Sequence, residues 1–198
     1  IFNNAVPFCL LVWGQTQVTS GVAAILNATT PICAVLVAHV VTHDERLSPG
    51  RLIGVIAGFA GVVVVIGPGV LAGVGEHVLG ELACVASSVF YACAAVYGRR
   101  FQRMGVLPLV AACGQLTCSS LIMVPVALVI EQPWTFSAPS GETIAAVIGL
   151  GLFATATGYM LYFRLLATAG ATNLLLVSFL IPITTIVLGS IILGETLE

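Results

Sequence analysis

Seven stretches of this chain, at about residues 2–18, 20–42, 51–68, 79–98, 106–130, 143–168 and 171–194, are apolar over lengths near the roughly 20 residues a helix needs to cross a bilayer. Hydrocarbon offers no water to bond to, so each such segment must satisfy its own backbone donors and acceptors, as a helix does. Charge points the same way. Six arginines, no lysine and eight acidic residues among 198 are too few to cover a water-soluble domain of this size. The expected fold class is therefore an all-α integral membrane protein, with the lipid bilayer as its solvent. The breaks carry turn chemistry: Thr19-Ser20-Gly21, Ser48-Pro49-Gly50, Gly67-Pro68-Gly69, Met104-Gly105, Pro139-Ser140-Gly141 and Ala169-Gly170-Ala171. Six arginines in short loops make no basic stripe, so no nucleic-acid partner is expected. The first stretch has neither a basic n-region nor a small-residue cleavage site, so no signal peptide is read there.

The arginines set a direction. Arg46 and Arg51 flank the loop after the second stretch, Arg99, Arg100 and Arg103 follow the fourth, and Arg164 precedes the break after the sixth. If the spans alternate, all six fall on one side. Glu76, Glu81, Glu131, Glu142, Glu195 and Glu198 fall on the other, with Trp134. The positive-inside rule makes the arginine side cytoplasmic. The second stretch then runs inward and the seventh outward.

Those two stretches share a motif. The first copy runs Ser20-Gly21-Val22-Ala23-Ala24-Ile25-Leu26-Asn27-Ala28-Thr29-Thr30-Pro31, then an apolar run, then Glu45-Arg46-Leu47. The second runs Ala171-Thr172-Asn173-Leu174-Leu175-Leu176-Val177-Ser178-Phe179-Leu180-Ile181-Pro182, then an apolar run, then Glu195-Thr196-Leu197. Proline precedes glutamate by 14 residues in one and 13 in the other. Equivalent helices an odd number of spans apart are antiparallel, the mark of an inverted-repeat transporter whose substrate site lies where the halves meet.

A mid-helix proline frees the carbonyl four residues earlier, here that of Asn27 and of Ser178. Such a break should face protein or a wet cavity. Around each break runs a small or polar stripe: Ala23/Ala24, Asn27, Thr30/Pro31, Ala34 and Ala38, and Ala171, Ser178, Pro182, Thr185 and Gly189. Close helix packing is the preferred reading of the stripes. For Asn27 the cavity is preferred, because a midplane amide beside a proline break is expensive unless used. Tyr91, Tyr159 and Tyr162 are further mid-depth candidates, the last two sharing a helix face by their spacing of three. Trp13 and Gln15 lie near the outer end of the first stretch, and Gln115 lies in the fifth. Gly54, Gly58 and Gly61 read as a close-packing surface, Arg164 as a snorkelling anchor, and the six cysteines as small buried hydrophobes. His39 reads either as a proton relay or as an ordinary half-solvated histidine.

On the paired motifs Ala24–Pro31 with Asp44-Glu45-Arg46-Leu47, and Leu180-Ile181-Pro182 with Leu193-Gly194-Glu195-Thr196-Leu197, the chain resembles the EamA-type family of the drug/metabolite transporter superfamily. Pro7-Phe8 with Trp13-Gly14-Gln15 is similar to that family's third helix. Leu52-Ile53-Gly54 through Gly61-Val62-Val63 is similar to its fifth, Leu79-Gly80-Glu81-Leu82 to the start of its sixth, and Tyr162-Phe163-Arg164-Leu165-Leu166 to the end of its eighth. The resemblance implies a ten-helix bundle of two five-helix inverted repeats. Seven of those helices are expected here, with residues 1–68 the remainder of the first repeat and 79–198 the second, truncated before its last helix. The start at Ile1 and the end just after the second Glu-x-Leu are read the same way, as a fragment lacking helices at both ends. The resemblance also implies a bacterial inner-membrane carrier, often an exporter of amino acids or other small metabolites.

The expected function is thus a secondary transporter moving a small-molecule substrate by alternating access. Its cavity is expected to be lined by Asn27, Thr30, Tyr91, Tyr159, Ser178 and Thr185, with Pro31 and Pro182 at the breaks. No cofactor is expected, and no phosphate-binding loop is present in the sequence. Proton coupling and a homodimer are both left open. The alternatives are a membrane scaffold that does not transport, and an intramembrane enzyme. Against the enzyme, the chain has one aspartate, no His-Glu-x-x-His, and its deep Ser119 and Ser120 lie far from His39.

Overall fold

The structure is a computed structural model that describes residues 2–42, 48–135, 138–182 and 184. Among these there is no β-strand. Eight α-helices follow one another: α1 (Ala5–Gln15), α2 (Ser20–Asn27), α3 (Thr30–Val41), α4 (Pro49–Ile66), α5 (Val78–Arg103), α6 (Pro108–Glu131), α7 (Gly141–Gly149) and α8 (Thr157–Leu175). A π-helical segment, Leu150–Ala156, joins α7 to α8, and a 3-10 turn, Leu176–Phe179, continues beyond α8.

Every predicted break lies at a helix boundary or within a kink, and local chemistry accounts for it. Thr19 caps α2 by accepting from the Val22 N–H, Ser48 caps α4 through the Arg51 N–H, and Ser140 caps α7 through the Thr143 N–H. Prolines open α4 and α6, where a missing N–H costs nothing. Gly170 sits at φ 83°, ψ 172°, a conformation open to glycine alone, and interrupts the helix there.

Among the described residues, five stretches are long and apolar enough to span a bilayer: Gly21–Val41, Pro49–Ile66, Val78–Arg103, Pro108–Glu131 and Gly141–Pro182. The first of the seven expected stretches contains an α-helix of only 11 residues, about 16 Å at 1.5 Å per residue. The expected sixth and seventh stretches fall within Gly141–Pro182, where the non-helical backbone of Gly170 separates two helical parts at the expected break. Most of the seventh stretch beyond Pro182 lies outside the described residues.

Helix α5 is the hub. It packs against α1, α2, α3 and α8. Its buried face is made of Gly80, Ala83, Cys84, Ser87, Ser88, Ala92, Ala95, Val96 and Gly98, small residues at helical spacing but for the valine. Gly80 and Cys84 receive Gly14 of α1 so closely that a Cβ on Gly14 would lie 2.6 Å from Cys84 Sγ and 2.8 Å from the Gly80 carbonyl. Gly98 receives Leu166 of α8. Ala34 and Ala38 of the second-stretch stripe are wholly buried, in one core with Ala92, Ala95, Leu166 and Ala171. The stripe there is helix packing.

Two sequence expectations are met only in part. Of the three α4 glycines read as a packing surface, Gly58 makes a close contact, under the ring of Phe179, while Gly54 and Gly61 have no neighbour within 4 Å of a Cβ position among the described residues. Of the six cysteines only Cys84 is buried; Cys33 is half-buried and Cys9, Cys93, Cys113 and Cys118 are exposed, Cys93 and Cys118 along cavity walls. A thiol is apolar enough for a face turned to lipid as well as for a core.

The break ahead of Pro31 is closed by hydroxyls. The Thr30 hydroxyl donates to the Asn27 carbonyl at 2.6 Å and lies 3.0 Å from Ser88 Oγ, which reaches the Leu26 carbonyl at 3.4 Å. Thr30 and Ser88 are both buried. One helix thus supplies the donors that another helix's break requires. Thr30→Val and Ser88→Ala should each lower stability by about 1 kcal/mol. The double variant should lose less than the sum, with a coupling on the order of 1 kcal/mol in denaturant unfolding; simple additivity would show that the hydroxyls do not act together. At the hub, Gly14→Ala should cost about 1–3 kcal/mol through overpacking and lower the melting temperature in detergent, while Gly54→Ala leaves it unchanged.

Candidate functional site

At the depth of the spans lies a cavity of about 580 Å³. Its walls come from segments far apart in the sequence. Asn3, Asn4 and Phe8 lead into and belong to α1, and Tyr91 comes from α5. Leu116, Ser119, Ser120 and Met123 come from α6. Ala154 and Thr155 come from the π-helical segment, and Gly158, Tyr159 and Tyr162 from α8. Among the described residues, no Asp, Glu, Lys, Arg or His lines it. The polar groups are amides, phenols and hydroxyls, and the remainder is apolar.

The polar groups form a chain. The Tyr162 hydroxyl donates to Asn3 Oδ1 at 3.4 Å, and Asn3 Nδ2 donates to Gln115 Oε1 at 3.3 Å. Gln115 Nε2 donates to Asn4 Oδ1 at 2.7 Å, and the Tyr159 hydroxyl donates to the same oxygen at 2.5 Å. The chain joins the start of α1 to α6 and α8. Asn3 and Asn4 are 8% and 9% exposed, so these bonds form in a low-dielectric setting where each is strengthened. Around it, the rings of Tyr159 and Tyr162 lie 6.1 Å apart, and Phe8 meets Tyr91 edge-on at 6.2 Å. Ser119 Oγ, on the α6 wall, is buried and has no hydrogen-bond partner among the described residues.

Of the residues singled out from the sequence, Tyr91 and Tyr159 line this cavity. Asn27, Thr30, Pro31, Ser178 and Pro182 are not among its lining residues. Thr30 and Pro31 are buried at the α2–α3 break. Asn27 Oδ1 is buried beside them without a hydrogen-bond partner among the described residues. The Ser178 hydroxyl donates to the Leu175 carbonyl within its own turn, at 2.6 Å, and Pro182 is half-buried. Thr185 lies outside the described residues.

The sequence reading passed over Asn3 and Asn4 and gave Gln115 no role. The signal was present: two adjacent amides inside a stretch otherwise apolar to Val12 are intramembrane polar groups, which are functional candidates by default. A second cavity, also about 580 Å³, opens at the arginine-bearing end of α5, beside Val37, Val41, Tyr97 and Arg100.

Known proteins share this architecture. A solved crystal structure superposes with a TM-score of 0.78 over 97% of this chain and 65% of that one, at 22% identity, which establishes a common fold. An uncharacterized transporter of Archaeoglobus fulgidus is 25% identical over the whole chain, which spans 68% of that protein. Protein PagO of Salmonella typhimurium is 28% identical, again over the whole chain, which spans 64% of PagO. The uncharacterized transporter YvbV of Bacillus subtilis is 35% identical over 77% of this chain and 49% of its own length. The model of the EamA-like transporter family matches residues 1–67 and 78–198. A helical bundle with membrane-length apolar spans, matched to that family over nearly all its residues, is a multi-pass membrane protein, and this chain belongs to the EamA-like transporter family.

Proposed function

We propose that this chain forms the greater part of a secondary carrier that exports amino acids or similar small metabolites across a bacterial inner membrane by alternating access. The observation that carries the reading is the cavity, free of charged groups among its described lining residues, whose walls come from α1, α5, α6, the π-helical segment and α8. Side chains from separated helices converge on a space large enough for a small metabolite. With no fixed charge among the described lining residues, a strongly ionic solute would meet no counter-charge there, so a neutral or zwitterionic one fits best. Tyr91 and Tyr159 are the lining residues we assign to substrate contact. The α2–α3 break at Asn27, Thr30 and Pro31, with its counterpart at Ser178, Pro182 and Thr185, is assigned to the flexing of the two repeats. The repeats are residues 1–68 and 79–198, and the arginine-bearing loops face the cytoplasm.

The test uses the full-length gene product expressed in a bacterium, with extracellular metabolites compared against an empty vector and the Tyr91→Leu variant. A defined set of small uncharged or zwitterionic metabolites should accumulate outside wild-type cells. The variant should release them about tenfold more slowly, with membrane insertion unchanged. An unchanged profile from correctly inserted wild-type protein would remove the export reading.

A further inference from the structure

We infer that Asn4 is the residue with which the cavity reads its substrate, and that what it reads is a hydrogen-bond acceptor, the carboxylate or carbonyl oxygen of a solute without net charge. The inference rests on the carrier reading and deepens it. A carboxamide oxygen has two lone-pair directions, and on Asn4 Oδ1 both are taken, by Gln115 Nε2 at 2.7 Å and by the Tyr159 hydroxyl at 2.5 Å. The Asn4 Nδ2 group makes no hydrogen bond among the described residues, yet it is not one of the polar atoms shut away in the interior. Asn4 lines the cavity. Its NH₂ group is therefore the end of the amide that is left for a ligand.

The three amides hold one another in the orientation the structure shows, and none of them turns alone. With the Tyr162 hydroxyl on Asn3 Oδ1, Asn3 has its Nδ2 to give, and gives it to Gln115 Oε1. Gln115 is left with its Nε2 to present to Asn4. Turning the Asn4 amide alone would set donor against donor. Gln115 is not itself a lining residue of this cavity. It acts by positioning Asn4. With no cationic side chain among the described lining residues, this oriented amide is a strong fixed donor for an acceptor group, and Phe8, Leu116 and Met123 offer an apolar surface for the remainder of the solute.

The test measures binding and uptake by the full-length gene product in proteoliposomes, with three related probes, the third being leucine without its carboxyl group. L-Leucine and L-leucinamide carry an acceptor oxygen, and isoamylamine carries none. Wild type should favour the first two over the amine by at least tenfold. Asn4→Asp keeps the acceptor for Gln115 and Tyr159 but replaces the NH₂ by oxygen, and it should reverse the ranking. Gln115→Leu leaves the lining intact and frees the Asn4 amide to turn. It should narrow the ranking toward unity, which a loss of packing alone would not do. If Asn4→Asp fails to insert, Gln115→Leu carries the test. An unchanged ranking in the variants, or wild-type protein that exports metabolites from cells but binds neither leucine nor leucinamide, would overturn the assignment of Asn4 and leave the carrier reading standing. Absence of wild-type export from cells would instead remove the carrier reading itself.

Discussion

The close approach of helices along one face of α5 is the contact on which the structure depends. In lipid, apolar side chains gain little by leaving one hydrocarbon for another, so association rests on packing and on interhelical hydrogen bonds. Gly80, Ala83, Cys84, Ser87, Ser88, Ala92, Ala95 and Gly98 let α1, α2, α3 and α8 reach α5 at near-backbone distance. The two serines on this face then do what alanine cannot. Ser87 donates to the Pro7 carbonyl of α1 at 2.9 Å, and Ser88 meets Thr30 and the Leu26 carbonyl at the α2–α3 break. One helix face therefore serves two needs, dispersion contact and satisfaction of backbone groups that lipid would leave bare.

The same hub places the cavity. Because α1 is held to α5 through Gly14, Pro7 and the Phe8–Tyr91 ring pair, its first residues are carried to the level of Gln115 and of the α8 tyrosines. The amide–phenol chain can then form across the cavity, joining α1 to helices with which it shares little direct packing. The outer faces show the complementary pattern. Phe153 is 80% exposed and Val64 is 75% exposed, values suited to lipid contact and unsuited to water.

Fold class and break positions were legible in the sequence because they follow from one-dimensional signals: run length, charge scarcity and turn residues. Ser48, Ser140, Gly67, Met104-Gly105 and Gly170 each mark a helix end or an interruption. What pairs with what was not legible. Gly54, Gly58 and Gly61 look alike as a pattern, yet among the described residues only Gly58 faces a partner, Phe179, which lies more than a hundred residues away. Thr30 could be read as a cavity residue or as a break residue, and choosing needed the position of Ser88 on another helix. Tyr91 and Tyr159 carried a local signal, since phenols at mid-depth are rare and expensive. Asn3 and Asn4 carried an equally strong one, but near the start of the chain they resembled the edge of a span rather than its interior.

An uncharged bridge also fits the energetics of alternation. A carrier that opens to each side in turn must break the contacts that close the cavity, and do so in every cycle. Parting a buried ion pair leaves bare charges in a low dielectric, at about 3–5 kcal/mol for each pair. A neutral hydrogen bond contributes about 1 kcal/mol net, and its groups can re-form bonds with water or substrate as the cavity opens. The four bonds linking Tyr162, Asn3, Gln115, Asn4 and Tyr159 are all of this second kind. A solute whose acceptor oxygen takes the Asn4 amide leaves those bonds in place. A solute that donates must displace Gln115 or Tyr159 from Asn4 Oδ1. On the carrier reading, the first kind of solute binds with the bridge closed and the second only by loosening it, so the polarity of one amide links which solute is held to which state of the cavity is favoured.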